Sequence, residues 1–113
     1  MEKKYKTFWS FYPYYLTEHS DPVCRATHYI GTTGLFLVVA ASIYFGNAKL
    51  LFLLPVVGYG FAWLGHFAFE KNKPATFQYP LYSLGSDFVM YFHFLTGQIN
   101  HRLEEAKKTV AMQ

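Results

Sequence analysis

Residues 26–48 read ATHYIGTTGLFLVVAASIYFGNA, and residues 50–69 read LLFLLPVVGYGFAWLGHFAF. These runs of 23 and 20 residues carry no formal charge, and each contains one histidine, His28 and His66. About 20 consecutive apolar residues take a helix across the hydrocarbon core, so each run is long enough. Both are apolar around the whole circumference, whereas a soluble helix has an apolar stripe. The connection Gly46-Asn47-Ala48-Lys49 is too short for anything but an antiparallel hairpin. Pro55 and Gly58 would weaken a soluble helix but are tolerated in a membrane one.

The expected fold is therefore all-α: an integral membrane helical hairpin of two transmembrane helices with flanking interfacial or re-entrant helices. One domain covers residues 1–113, with spans at about 27–46 and 50–70. Interfacial segments are expected at about 5–19 and 80–96, and a charged tail at 100–113. Composition agrees. Hydrophobic residues make up 52% and charged residues 15%, the latter well below the roughly 25% of soluble domains. The aromatic cluster Phe8-Trp9-Ser10-Phe11-Tyr12-Pro13-Tyr14-Tyr15 is expected at headgroup depth, where Trp and Tyr stay half wet. No signal-peptide core precedes the first run.

Basic residues set the orientation. Lys3, Lys4, Lys6 and Arg25 precede the first span; Lys71, Lys73, Arg102, Lys107 and Lys108 follow the second; the turn has only Lys49. The positive-inside rule then places both termini in the cytoplasm. A third apolar stretch, Phe77 to Ile99, contains Asp87 and His93 and is broken by Pro80, Gly85 and Gly97. It is expected to lie beside the hairpin rather than to cross. The charge of +3 is spread over both ends, which argues against nucleic acid as a partner. The lone Cys24 can form no internal disulfide and reads as a small apolar contact.

Five histidines remain, His19, His28, His66, His93 and His101. With equal rise per residue about a turn centred between Asn47 and Ala48, His28 faces position 67 and Arg25 faces Glu70. His28 and His66 then share a depth near the cytoplasmic end, and His19 is close enough in sequence to fold over it. His66 and Glu70 share a helix face. Glu70 can ligate a metal, orient a metal-bound histidine, or pair with Arg25. Asp87 can cap a helix, pair with a base or join the site. His93 and His101 read as surface or interface residues. Ionisable groups at membrane depth are functional candidates by default, and imidazole with carboxylate suits ferrous iron or zinc. His-Glu-x-x-His, Gly-rich phosphate loops and Gly-x-Ser-x-Gly are all absent. A zinc-dependent lipid hydrolase and a non-catalytic, partner-binding membrane hairpin stay open as alternatives.

The chain resembles the 2-hydroxy fatty acid dioxygenase family, in its short, largely bacterial branch. The resemblance lies in Phe11-Tyr12, His19 and His28, then Gly65-His66-Phe67-Ala68-Phe69-Glu70-Lys71-Asn72-Lys73-Pro74-Ala75. Tyr79-Pro80-Leu81-Tyr82-Ser83-Leu84, Asp87 and Leu95-Thr96-Gly97 extend it. It implies an Fe(II)-dependent α-oxidation in which a 2-hydroxy fatty acid and O₂ give the acid one carbon shorter. The matched histidines are His19, His28 and His66 as metal ligands, with Glu70 and Asp87 as catalytic candidates. Arg25, Lys71 or Lys73 would draw the substrate carboxylate, or serve only as positive-inside charges. Longer members carry further apolar segments and a further histidine between the two motif blocks. The host membrane implied is a bacterial inner membrane, or the endoplasmic reticulum in a eukaryote.

Overall fold

The computed structural model describes residues 4–72 and 78–112, and among them the chain is all-helical. Helix α1 (Phe8–Thr17) starts on a reciprocal cap in which Thr7 accepts from the Ser10 amide and Ser10 accepts from the Thr7 amide. Helix α2 (Pro22–Phe45) begins with Asp21, whose carboxylate accepts from the Val23 and Cys24 amides, and with Pro22 in the first turn. It ends at Gly46, which adopts φ +61, the left-handed conformation that closes a helix at least cost on glycine.

The return strand of the hairpin has three parts. A 3₁₀ segment, Ala48–Phe52, leads into α3 (Leu53–Leu64), which widens into a π-helical turn over Gly65–Glu70. Helices α2 and α3 run antiparallel and are long and apolar enough, with their extensions, to cross a membrane. Helix α4 (Pro80–Leu95) lies against α2 and α1, and α5 (Ile99–Ala111) against α1. At 16 residues α4 is shorter than the roughly 20 that a helix needs to span the hydrocarbon core.

Two expectations need correction. The hairpin register is offset: Gly31 packs on Phe61 and Gly34 on Val57, three or four residues nearer the turn than equal rise predicts. The 3₁₀ segment explains up to about half of this. It climbs about 2.0 Å per residue against 1.5 Å in an α-helix, so five residues gain roughly 2.5 Å. Secondly, the aromatics of α1 are not mainly interfacial anchors. Phe11, Tyr12 and Tyr15 are buried with Leu16, Tyr79 and Met90 in an aromatic core; among the aromatics of the cluster only Trp9 is exposed. Aromatic rings with a polar tip suit either place, and α4 and α5 cover these.

Candidate metal centre

Three elements bring three histidines to one point. His19 follows α1 in the short link to α2, His28 lies in the second turn of α2, and His66 stands on the π-helical turn. The close approach of that turn to α2 needs Gly65. A Cβ there would collide with Thr27 Oγ1 and press on Cys24, 3.1 Å from its Sγ and 3.2 Å from its carbonyl. Arg25 draws in the link that carries His19, its guanidinium donating to the carbonyls of His19 and Ser20 at 2.8 and 2.9 Å.

The ring centroids of His19 lie 4.4 Å from those of His28 and His66, which are 4.9 Å from each other. All three side chains are at most 4% exposed. Each ring spends its Nδ1 on an outward bond: His19 to the Tyr15 carbonyl at 2.6 Å, His28 to the Cys24 carbonyl at 2.8 Å, His66 to Asn72 Oδ1 at 2.7 Å. A carbonyl oxygen only accepts, so Nδ1 carries the proton in His19 and His28. The Asn72 amide is oriented by its nitrogen, which donates to the main-chain and side-chain oxygens of Glu18, both at 3.1 Å. Its oxygen therefore faces His66, and His66 too is protonated on Nδ1.

Three Nε2 lone pairs are thus left facing inward. His19 Nε2 and His28 Nε2 are 3.1 Å apart, and one ligand atom from each of the three rings lies within 4.8 Å of the others. Metal–nitrogen bonds of about 2 Å put the ligands of one ion roughly 3–4 Å apart. Buried lone pairs at that separation repel unless a cation lies between them. Outward Nδ1–H bonds to carbonyls are also how metal-binding imidazoles are held. The donor set fits a divalent metal. Burial, and then the neighbouring His28 and His66, push the His19 imidazole well below its ordinary range, which keeps it neutral as a ligand must be.

The family model for 2-hydroxy-palmitic acid dioxygenase Mpo1-like proteins matches residues 5–99. The chain belongs to this family. The Mpo1-like name is that of a dioxygenase. No curated protein and no solved structure matches the chain.

The other candidates of this Mpo1-like chain lie around the trio. Glu70 stands outside it: its carboxylate takes the Asp21 amide and so ties the π-turn to the start of α2. The expected opposition of Arg25 to Glu70 fails for the same reason as the register, since the offset carries Glu70 past Arg25 to Asp21. Among the described residues Asp87 pairs with no base, and it caps no helix there. It lies within α4 and accepts a hydrogen bond from the Tyr15 hydroxyl. The Tyr15 ring stacks on His19, centroids 4.0 Å apart. Burial raises the Asp87 carboxyl to about 7 against the lowering effect of that bond. Lys71 is exposed, with the left-handed φ of 59 that ends the π-turn. Lys73 lies outside the described residues. His93 is buried against the Tyr12 hydroxyl at 2.8 Å, not at an outer surface, and His101 is exposed beside Glu105. Cys24 is fully buried, in keeping with an apolar contact.

Sequence reasoning missed Asn72 and the Tyr15 carbonyl. Asn72 stands inside the His66 motif, and its spacing from His66 was the available signal. Sequence reasoning also missed a cavity of about 370 Å³ running from His28 and Asp87 between α2, α3 and α4, with walls that are otherwise almost wholly apolar.

Proposed function

We propose that this chain is an iron-dependent membrane dioxygenase that converts a 2-hydroxy fatty acid into the acid one carbon shorter. The observation that carries the reading is the convergence of three buried, proton-free Nε2 atoms beside an apolar cavity whose wall includes one of the three, His28. Both apolar helices cross the bilayer, with the two termini on the cytoplasmic side. Leu37, Ile43, Phe52 and Val56 are 65–80% exposed on the hairpin, an apolar surface that lipid covers and water would not.

His19, His28 and His66 hold the ion, and ferrous iron there supplies the activation of O₂. A 2-hydroxy acid presents a carboxylate and a hydroxyl that chelate such an ion. The overall reaction balances with one O₂ if the carboxyl carbon leaves as CO₂ with one water, so no further reductant is needed. Asp87, on the cavity wall with His28, accepts the hydrogen bond of the 2-hydroxyl and holds its proton, a task suited to a carboxyl that titrates near neutrality. Tyr15 keeps Asp87 in place through its hydroxyl and His19 in place through its ring and carbonyl. Arg25 and Glu70 fasten the two ends of the site and touch neither substrate nor metal, while Lys71 attracts the anionic headgroup from outside.

Oxygen uptake on 2-hydroxypalmitate, followed with the iron-loaded protein in detergent, tests the reading. One O₂ per substrate and a product one carbon shorter are expected, and His19→Ala, His28→Ala and His66→Ala should each abolish both. Anaerobic turnover with bound zinc would make the protein a hydrolase instead. Purified protein without metal would leave a non-catalytic hairpin.

A further inference from the structure

The cavity that begins at His28 has an order along its length. On α2 its wall is formed by His28, Thr32, Leu35 and Phe36, then Val39, residues that stack on one helix face at spacings of three and four. On the antiparallel α3 the wall runs the other way, from Ala62 through Gly58 to Pro55 and Leu54. The packing of Gly58 on Leu35 and of Gly31 on Phe61 fixes the two ladders side by side. Ala62 is thus nearest the histidines and Val39 with Leu54 farthest. Val39 stands eleven residues beyond His28, a rise of about 16 Å, the length of a medium to long acyl chain. At about 370 Å³ the space is at the small end of ligand pockets, room for one slender chain and not for a two-tailed lipid. Phe36, Val39, Tyr59 and Leu84 are 39–53% exposed, so the groove is open along the side that faces lipid.

We propose that this groove is a single-chain acyl subsite, entered sideways from the bilayer and occupied in order of depth. Methylenes near the headgroup lie at Ala62 and Thr32, those of mid-chain at Gly58 and Leu35, and the tail at Val39 and Leu54. The proposal takes the identity of the headgroup from the proposed function. The polar end shared with His28 and Asp87 fixes which end of the chain goes where.

The depth order makes a test that a merely structural role would not mimic. Val39→Trp and Leu54→Trp obstruct only chains long enough to reach them. Both should lower kcat/KM for 2-hydroxypalmitate by about tenfold or more, the usual worth of a misfit in an apolar pocket, and leave 2-hydroxyoctanoate unchanged. Ala62→Phe should impair both substrates. Val39 and Leu54 lie partly exposed, so the larger side chains are compatible with folding; intact helical content by circular dichroism checks this. A second readout needs no turnover: displacement of a fluorescent fatty acid from the detergent-solubilised protein by the same two acids. The Trp variants should lose displacement by the long acid alone. If the acids displace the probe in this pattern but are not oxidised, the groove stands and the proposed reaction falls. Equal effects on long and short chains, or no displacement by the long acid from the wild type, would overturn the subsite.

Discussion

Nε2 of His19 lies 3.1 Å from Nε2 of His28, and the other nitrogen of each ring is bound to a main-chain carbonyl. With both protons on Nδ1, the two Nε2 lone pairs face each other, and a cation between them relieves their repulsion. Metal should therefore stabilise the fold. Ferrous iron or zinc at a hundred times its Kd should add about 2.7 kcal/mol, seen as a rise in Tm that chelator reverses and His28→Ala removes. A Tm indifferent to metal and chelator would count against the pair as ligands.

Asn72 orients His66 from outside. Asn72→Ala deletes the acceptor for Nδ1–H and the two bonds to Glu18. Metal affinity should fall about 10–100-fold with little change in helical content, as read by metal titration beside circular dichroism. Undiminished affinity would mean that His66 is held by packing alone.

Gly65 is the point where the π-turn touches α2. Gly65→Ala places a methyl against Thr27 Oγ1 and the Cys24 carbonyl, and should cost about 1–3 kcal/mol by overpacking. Adding Thr27→Ala should recover part of the loss, because the milder contacts with Cys24, at 3.1 Å to Sγ and 3.2 Å to the carbonyl, then remain. Denaturation of the single and double variants measures both effects.

Asp87 gives the fold a pH dependence. Its folded pKa of about 7 stands above the ordinary 3.8, so between those values the folded chain holds a proton that the unfolded chain has lost. Stability from this group is complete below about pH 4, declines as pH rises through 7, and is level above that. Asp87→Asn should flatten this limb of a Tm–pH profile, and an unaltered slope would show that the carboxyl is ordinary.

The hairpin and a helical segment near 80–96 were legible because the uncharged runs, the turn at Gly46 and the break at Pro80 state their meaning locally. The common depth of His28 and His66 followed from the turn. His19 could be placed near that end, but what fixes it is the bond of the Arg25 guanidinium to the carbonyls of the link, which no spacing reports. The register was misread because a 3₁₀ segment has no distinctive composition, and with it went the pairing of Arg25 with Glu70. The place of Asn72 six residues after His66 marks it as a neighbour, but its direction toward the ring depends on the left-handed turn at Lys71, which the spacing alone does not report. The α1 aromatics were assigned to the interface because nothing in their own sequence tells that α4 and α5 cover them.

Metal analysis of the purified chain, alongside His19→Ala, His28→Ala and His66→Ala, bears most directly on the three converging imidazoles. One iron per wild-type chain, bound through nitrogen in its X-ray absorption spectrum and lost in each variant, is the expected result. A wild-type chain that binds no metal when iron and zinc are offered, or variants that retain it in full, would contradict it.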